Sequence, residues 1–561
     1  MSASQRARPG GMAPADAAVA PRHTPSAARW IAFAALSAAT VLLMFWAYVP
    51  LNMDEYVSYQ TLAALSHPNA GENIFCSTKP SFYLDVLGRF RLPLLTYDYI
   101  GSLSSLLYTP FFLIWRDPMS ARLTGILTLL LQAVLVARIF RFRTAAVFCC
   151  LLFFLPYSFV HIADTGPVAF QTTSVFLVCA LLRAWILSRR PGRRYALMAA
   201  AGLAISLACW VKPTYFFPSF GLAATALAAF LLAWTRRRKE RGSRLGEYAV
   251  LFLCAAIPTA LIYEAKHPTG GAYLPVISGN FVPGQVLLAN LGTRFRENVL
   301  HLLLNPLDAA SLHFDLLPRL PAWTVLACLL AGFLLLRGLF LRRLPRRHRW
   351  EILLNLAGFA VGLLLVATNE YAKSMHHVVL AYPFAILAVA RGLAGPERSR
   401  RLPRLALAAF VALHGLMLFR LPGLMDDAVQ RSSSKAFVAQ LHDELDRREA
   451  DNTVIACVDW GIYFVQALYG PRTQVVLFLC DPDNAVQLDQ AAGIARRLHR
   501  DLAVVGLDGN RATADRLAAA VPAIRERRAA GAGNPWRIWR VPYAQLADLP
   551  TQAFARAVVV P

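Results

Sequence analysis

Long apolar runs alternate with short polar stretches along most of this chain. A run of roughly 20 residues is long enough to cross a hydrocarbon layer of about 30 Å. Eleven runs reach or approach that length: 30–49, 119–137, 144–161, 167–187, 195–211, 214–234, 246–263, 321–341, 351–368, 377–392 and 402–420. They predict a polytopic α-helical membrane protein with about 11 transmembrane helices. A twelfth apolar stretch at 101–115, GSLSSLLYTPFFLIW, is short for a span, and counting it would reverse the sidedness of everything downstream. It reads as a helix lying in or dipping into the outer interface. Beyond residue 420 the pattern changes. Short β-like runs at 453–458, 474–479, 502–507 and 536–541 alternate with amphipathic stretches such as 512–524, which predicts a small α/β domain. Three regions follow: a disordered basic tail at 1–28, a transmembrane domain at 29–420 with large loops at 50–118 and 264–320, and the α/β domain at 421–561.

Composition agrees with the pattern. Of 561 residues 57% are hydrophobic and 16% charged, against about a quarter charged in a soluble domain. The net charge of +24 would suggest a nucleic-acid partner in a soluble chain. Here the basic residues gather in short clusters between spans: Arg138/Arg141/Arg143, Arg189/Arg190/Arg193/Arg194, Arg236 to Arg238 with Lys239, Arg342/Arg343/Arg346/Arg347, and Arg398/Arg400/Arg401/Arg404. Such clusters mark the cytoplasmic side, so the charge reports orientation and no nucleic acid is expected. The first run is too long for a signal-peptide core and no A-x-A site follows it. It reads as an uncleaved first span, with the N-terminus inside and the α/β domain outside a cytoplasmic (inner) membrane. The nine cysteines show no metal or redox spacing; Cys457 and Cys480 are candidates to pair if their domain is extracytoplasmic.

Candidate chemistry collects on the outer side. Asp54 and Glu55 follow the first span in Leu51-Asn-Met-Asp-Glu-Tyr56, where two carboxylates can supply a general base and a metal ligand. Acids at the interface cost little and also occur without any role. Asp164, in His161-Ile-Ala-Asp-Thr-Gly-Pro167, faces the same compartment, either as a partner of Asp54 or as a turn breaker. Only six of the 57 basic residues are lysines, and four of them (Lys79, Lys212, Lys266, Lys373) fall on the outer side of the transmembrane domain, against the positive-inside bias. Cations there suit a phosphate at the bilayer surface, or simply snorkel. Lys212 lies at a span end in Trp210-Val-Lys-Pro213, Lys373 lies beside His376 and His377, and Arg122 stands at the entrance of the second span. No Gly-rich phosphate loop, G-x-S-x-G elbow or H-E-x-x-H is present in the sequence.

Taken together, the acidic pair after the first span, the long first outer loop, Arg122 in Ser120-Ala-Arg-Leu123 and the later outer acid Asp164 resemble the GT-C superfamily of membrane glycosyltransferases. The likeness is to the branch with the protein O-mannosyltransferases and the lipid A aminoarabinose transferase, and it covers roughly 30–395 in layout. One departure is visible: the KPPL-like segment of that family reads Lys79-Pro-Ser-Phe82, without the second proline. The resemblance implies juxtamembrane helices in 56–115 and transfer of a sugar from a polyprenyl-phosphate donor to a glycan, lipid or protein acceptor outside the membrane. It implies Asp54 as base, with Glu55 and Asp164 orienting it. Lys79, Arg122, Lys212, Lys373, His376 and His377 would line the substrate site. If a divalent cation (Mg or Mn) is used, Asp54 and Asp164 would hold it. The α/β domain either holds the acceptor or caps the outer face. The competing reading is a transporter or flippase of lipid-linked glycans, which would place ionisable residues near the midplane of its spans; a purely structural protein would not depend on Asp54.

Overall fold

A computed structural model describes residues 83–86, 90–93, 95–97, 100–114, 122–139, 167–212, 215, 218–219, 221–222, 241–266, 292–293, 346–368, 379–393, 452–458, 474–479, 485–507, 511–521, 524–528 and 536–556. The first described elements are two antiparallel ribbons, β1 (Tyr83–Val86) with β2 (Phe90–Pro93) and β3 (Leu95–Tyr97) with β4 (Ile100–Gly101). Helices were expected throughout this loop. Strands form instead because aromatic and aliphatic positions alternate with polar ones, a period of two, and the first register sets Asp85 opposite Arg91. The first described helix is α1 (Leu103–Ile114). Its 12 residues extend about 18 Å, too short to span.

The membrane elements are α2 (Arg122–Ile139), α3 (Pro167–Leu187), α4 (Pro191–Val211), α5 (Arg241–Lys266), α6 (Arg346–Thr368) and α7 (Tyr382–Leu393), the last entered through a 3-10 turn at Val379–Ala381. Four windows among the described residues are long and apolar enough to cross a membrane: Pro167–Leu187, Pro191–Val211, Leu245–Ile262 and Arg349–Thr368. α4 and α6 begin before the apolar runs read from the sequence at 195–211 and 351–368, at their arginine-rich ends. α4 starts at Pro191, with proline in its first turn, where the missing N–H costs nothing. α6 takes in Arg346 and Arg347. The run at 377–392 is divided. Its α-helix begins only at Tyr382, because Pro383 is accommodated in a first turn and not inside a helix.

Contacts between helices fix their directions. The α3–α4 turn is three residues long and the two helices pack antiparallel, with Ser174 against Ala204 and Gln171 against Ala208. α4 and α5 run parallel: Tyr195 lies by Gly246, Gly202 by Leu251, and Ser206 accepts a hydrogen bond from Thr259 at 3.0 Å. A Cβ on Gly202 would sit 2.5 Å from the Leu251 carbonyl oxygen, so only glycine permits this approach, as is common where spans meet without a hydrophobic drive. On its other side α5 exposes Leu245, Phe252, Leu253, Ile257 and Leu261, an apolar face suited to lipid.

The C-terminal residues form a five-stranded sheet in the order β6-β5-β7-β9-β8, made of β5 (Thr453–Cys457), β6 (Val475–Phe478), β7 (Asp501–Leu507), β8 (Arg525–Arg528) and β9 (Trp536–Val541). β6, β5 and β7 are parallel, while β9 is antiparallel to β7 and to β8. The four runs read as strands all lie in this sheet. Helices α8 (Ala485–Arg497), α9 (Arg511–Ala520), α10 (Tyr543–Asp548) and α11 (Ala553–Arg556) accompany it, and Val454, Leu477, Leu488, Val504, Leu517, Trp539 and Phe554 share one core. The amphipathic stretch expected to run to 524 stops at Ala520 and strand resumes at Arg525. Pro522 explains the break, since it bars the helical conformation to the residue before it. Asp501 ties β7 to the end of β9: one carboxylate oxygen meets the Arg540 guanidinium at 2.7 Å, and the other accepts the Tyr543 N–H at 2.7 Å where α10 begins. Cys457 is buried in β5; Cys480 lies outside the described residues.

Candidate functional site

The directions of the helices give the bundle two chemically different ends. At one end come together the last turn of α3, the first turns of α4, α5 and α6, and the last turn of α7. The acids there are paired with arginines. Glu247, 1% exposed, accepts hydrogen bonds from Trp185 Nε1 at 2.6 Å and Arg194 at 2.7 Å, and the Arg194 guanidinium lies 5.5 Å from the centre of the Trp185 ring. Glu351 pairs with Arg391 at 2.6 Å and with Arg183 at 3.8 Å, joining α6, α7 and α3. A buried carboxylate persists only with such compensation. Three exposed arginines, Arg189, Arg190 and Arg193, lie in or beside the α3–α4 turn at this end.

The opposite end carries Lys212. It caps α4 with extended backbone (φ −160°, ψ 136°), the conformation that Pro213 imposes on the residue before it. Its side chain is 4% exposed. Helix ends leave carbonyls without intrahelical partners, and in lipid these need a donor. Buried Gln171 of α3 supplies one, its amide nitrogen lying 2.6 Å from the Lys212 carbonyl oxygen and 3.4 Å from that of Ala208. The Tyr215 N–H donates to the same Lys212 carbonyl at 3.1 Å. One turn along α3, Ser174 donates to the Ala204 carbonyl at 3.0 Å and accepts from the Tyr215 hydroxyl at 3.2 Å. On another face of α3, Thr173 accepts from Gln132 of α2 at 2.8 Å. Lys266 closes α5 at this same end, since α4 and α5 are parallel.

The other candidates fall as follows. Arg122 is the first residue of α2, at the entrance of that helix, as the sequence implied. Asp54, Glu55, Lys79, Asp164, Lys373, His376 and His377 lie outside the described residues, and so do the two carboxylates considered for a divalent cation. Among the described residues no group of three His, Cys, Asp or Glu is placed to hold a metal ion. Sequence reading missed Gln171, Ser174 and Gln132, although four consecutive polar residues, Gln171 to Ser174, inside an apolar run were the available signal. It missed Glu247 and Glu351 too, each an acid within about ten residues of an arginine cluster.

These features define a polytopic membrane protein, and its fold is similar to that of solved membrane-protein structures. The structure of ArnT from Cupriavidus metallidurans bound to undecaprenyl phosphate is similar over 92% of this chain and 98% of that one, with a TM-score of 0.53 and 13% identity. Weaker likenesses are found to the mycobacterial arabinofuranosyltransferase AftD (TM-score 0.46, 14% identity, 92% of this chain and 40% of that one). Another is to the Archaeoglobus fulgidus oligosaccharyltransferase in complex with Zn and sulfate (TM-score 0.44, 16% identity, 85% and 68%). Comparisons with protein-family models and with curated proteins found no match.

Proposed function

We propose that the protein is a glycosyltransferase that moves a sugar from a polyprenyl-phosphate donor to an acceptor at the outer face of the cytoplasmic membrane. The observation that carries this reading is the near full-length fold similarity to ArnT, a protein seen with undecaprenyl phosphate bound. The disposition of charge supports it. Among the described membrane helices, the buried Glu247, Arg391 and Lys212 and the half-buried Glu351 all sit toward helix ends, where a transporter would place its charged residues near the midplane.

In this reading Asp54 takes the proton of an acceptor hydroxyl as its oxygen bonds to the anomeric carbon. The bond from that carbon to the phosphate oxygen breaks, and its electron pair leaves with the lipid phosphate. Negative charge therefore grows on the phosphate, and cations already in place stabilise it without reorganising. Lys212, with Arg122, Lys79 and Lys373, fills that role. Glu55 and Asp164 orient the base, and His376 and His377 line the substrate site. A divalent cation, if bound by Asp54 and Asp164, would add charge stabilisation at the same place. The C-terminal sheet belongs on the outer side in this arrangement.

The test incubates membranes containing the protein with a panel of radiolabelled polyprenyl-phosphate sugars. Label should pass to an acceptor with the wild type and fall by about 10²–10⁴-fold with Asp54→Asn, the usual worth of a general base. Movement of labelled lipid across vesicles without transfer would instead establish the flippase, and equal transfer by both proteins would remove Asp54 from the mechanism.

A further inference from the structure

We propose that Gln171 is a positioning residue for the donor phosphate, acting through Lys212; this rests on the glycosyltransferase reading above. The reason begins with the break in α4. Pro213 ends the helix and turns Lys212 into extended backbone, which frees carbonyls at a residue that is almost wholly buried. An end of this kind is free to rotate unless something from a neighbouring helix holds it. Gln171 does so with a single amide group, spanning the Ala208 and Lys212 carbonyls from α3. The Ala208 oxygen it approaches also accepts the Lys212 N–H at 3.3 Å, and the Lys212 oxygen also accepts the Tyr215 N–H at 3.1 Å. Both peptide groups flanking the Lys212 Cα are thereby tied, and with them the direction of its Cα–Cβ bond.

The chemistry explains why that direction matters. A lysine ammonium is a point charge on a four-carbon stem, and its attraction to a phosphate depends steeply on distance in a poorly solvated site. Lys212 is almost wholly buried, so its stem is confined and the direction of its Cα–Cβ bond limits where the charge can lie. Glutamine is suited to this task, being uncharged, long enough to reach across from α3, and a donor toward carbonyls.

The measurement is binding of undecaprenyl phosphate, and separately of undecaprenol, to the full-length protein in nanodiscs. Gln171→Met keeps length and apolar volume but removes the donor, and it should weaken undecaprenyl phosphate binding about tenfold, or about 1.4 kcal/mol, while undecaprenol binding stays unchanged. Lys212→Ala should lose at least as much, and the double variant no more than Lys212→Ala alone, because coupled residues are not additive. Ser206→Ala removes another buried hydrogen bond of α4 and should leave both lipids bound as in the wild type. If Gln171→Met fails to assemble, Gln171→Asn replaces it, keeping the amide but falling about 1.5 Å short, with the same loss expected. Additive losses, equal weakening for undecaprenol, or an equal effect of Ser206→Ala would overturn the positioning role alone. A wild type that binds neither lipid would overturn the donor reading with it.

Discussion

Glu247 shows how one residue is committed by its surroundings. Its carboxylate accepts from an indole N–H and a guanidinium on two other helices, and it is too deeply buried for water to substitute. Removing it strands Arg194 and the Trp185 N–H together. Breaking a buried pair from one side costs about 3–5 kcal/mol, so Glu247→Ala should lower the melting temperature in detergent sharply. Glu247→Gln keeps an acceptor for Trp185 and should cost less than half as much. Equal melting of the alanine variant and the wild type would show that the cluster contributes nothing to stability. Lys212 is the contrasting case: its backbone is saturated by hydrogen bonds and its side chain is what the proposed chemistry uses.

Among elements, the seam between α4 and α5 is the most constrained. Gly202 meets the Leu251 carbonyl, Cys254 and the Ala255 amide of α5, so even one methyl forces the helices apart. Gly202→Ala should destabilise by about 1–3 kcal/mol, the cost of overpacking a filled interface. Gly192, in the first turn of the same helix, has nothing within 4 Å of where a Cβ would stand; Gly192→Ala should be neutral or stabilise by up to about 1 kcal/mol through helix propensity. Thermal unfolding of the two variants side by side separates contact from propensity. Loss of stability in both, or in neither, would refute the close approach as the cause.

For the whole molecule, the polarity of the bundle makes the strongest statement. The α3–α4 turn with its arginines, the start of α6 and the end of α7 share one end, and Lys212 and the close of α5 share the other. If the arginine-rich end faces the cytoplasm, alkaline phosphatase fused after Arg190 should be inactive and the same reporter fused after Lys266 active. The reverse pattern would invert the proposed sidedness and move the reaction to the other face of the membrane.

Spans were legible in the sequence because the bilayer imposes a length and a polarity on each one independently, so 167–187 could be read without reference to any other helix. The strands of the C-terminal sheet were legible for a similar reason: 453–458 and 536–541 carry the period and residue types of buried strand. Local breakers such as Pro522 and Pro383 displaced boundaries by a few residues. What no local pattern contained was the partner of each polar residue. Gln171 and Lys212 are 41 residues apart, and Glu247 is 62 from Trp185. Whether an amide caps a neighbour's helix end, or an acid sits exposed or sealed against an arginine, depends on which helix faces meet and in which direction, and that is decided by packing across the bundle.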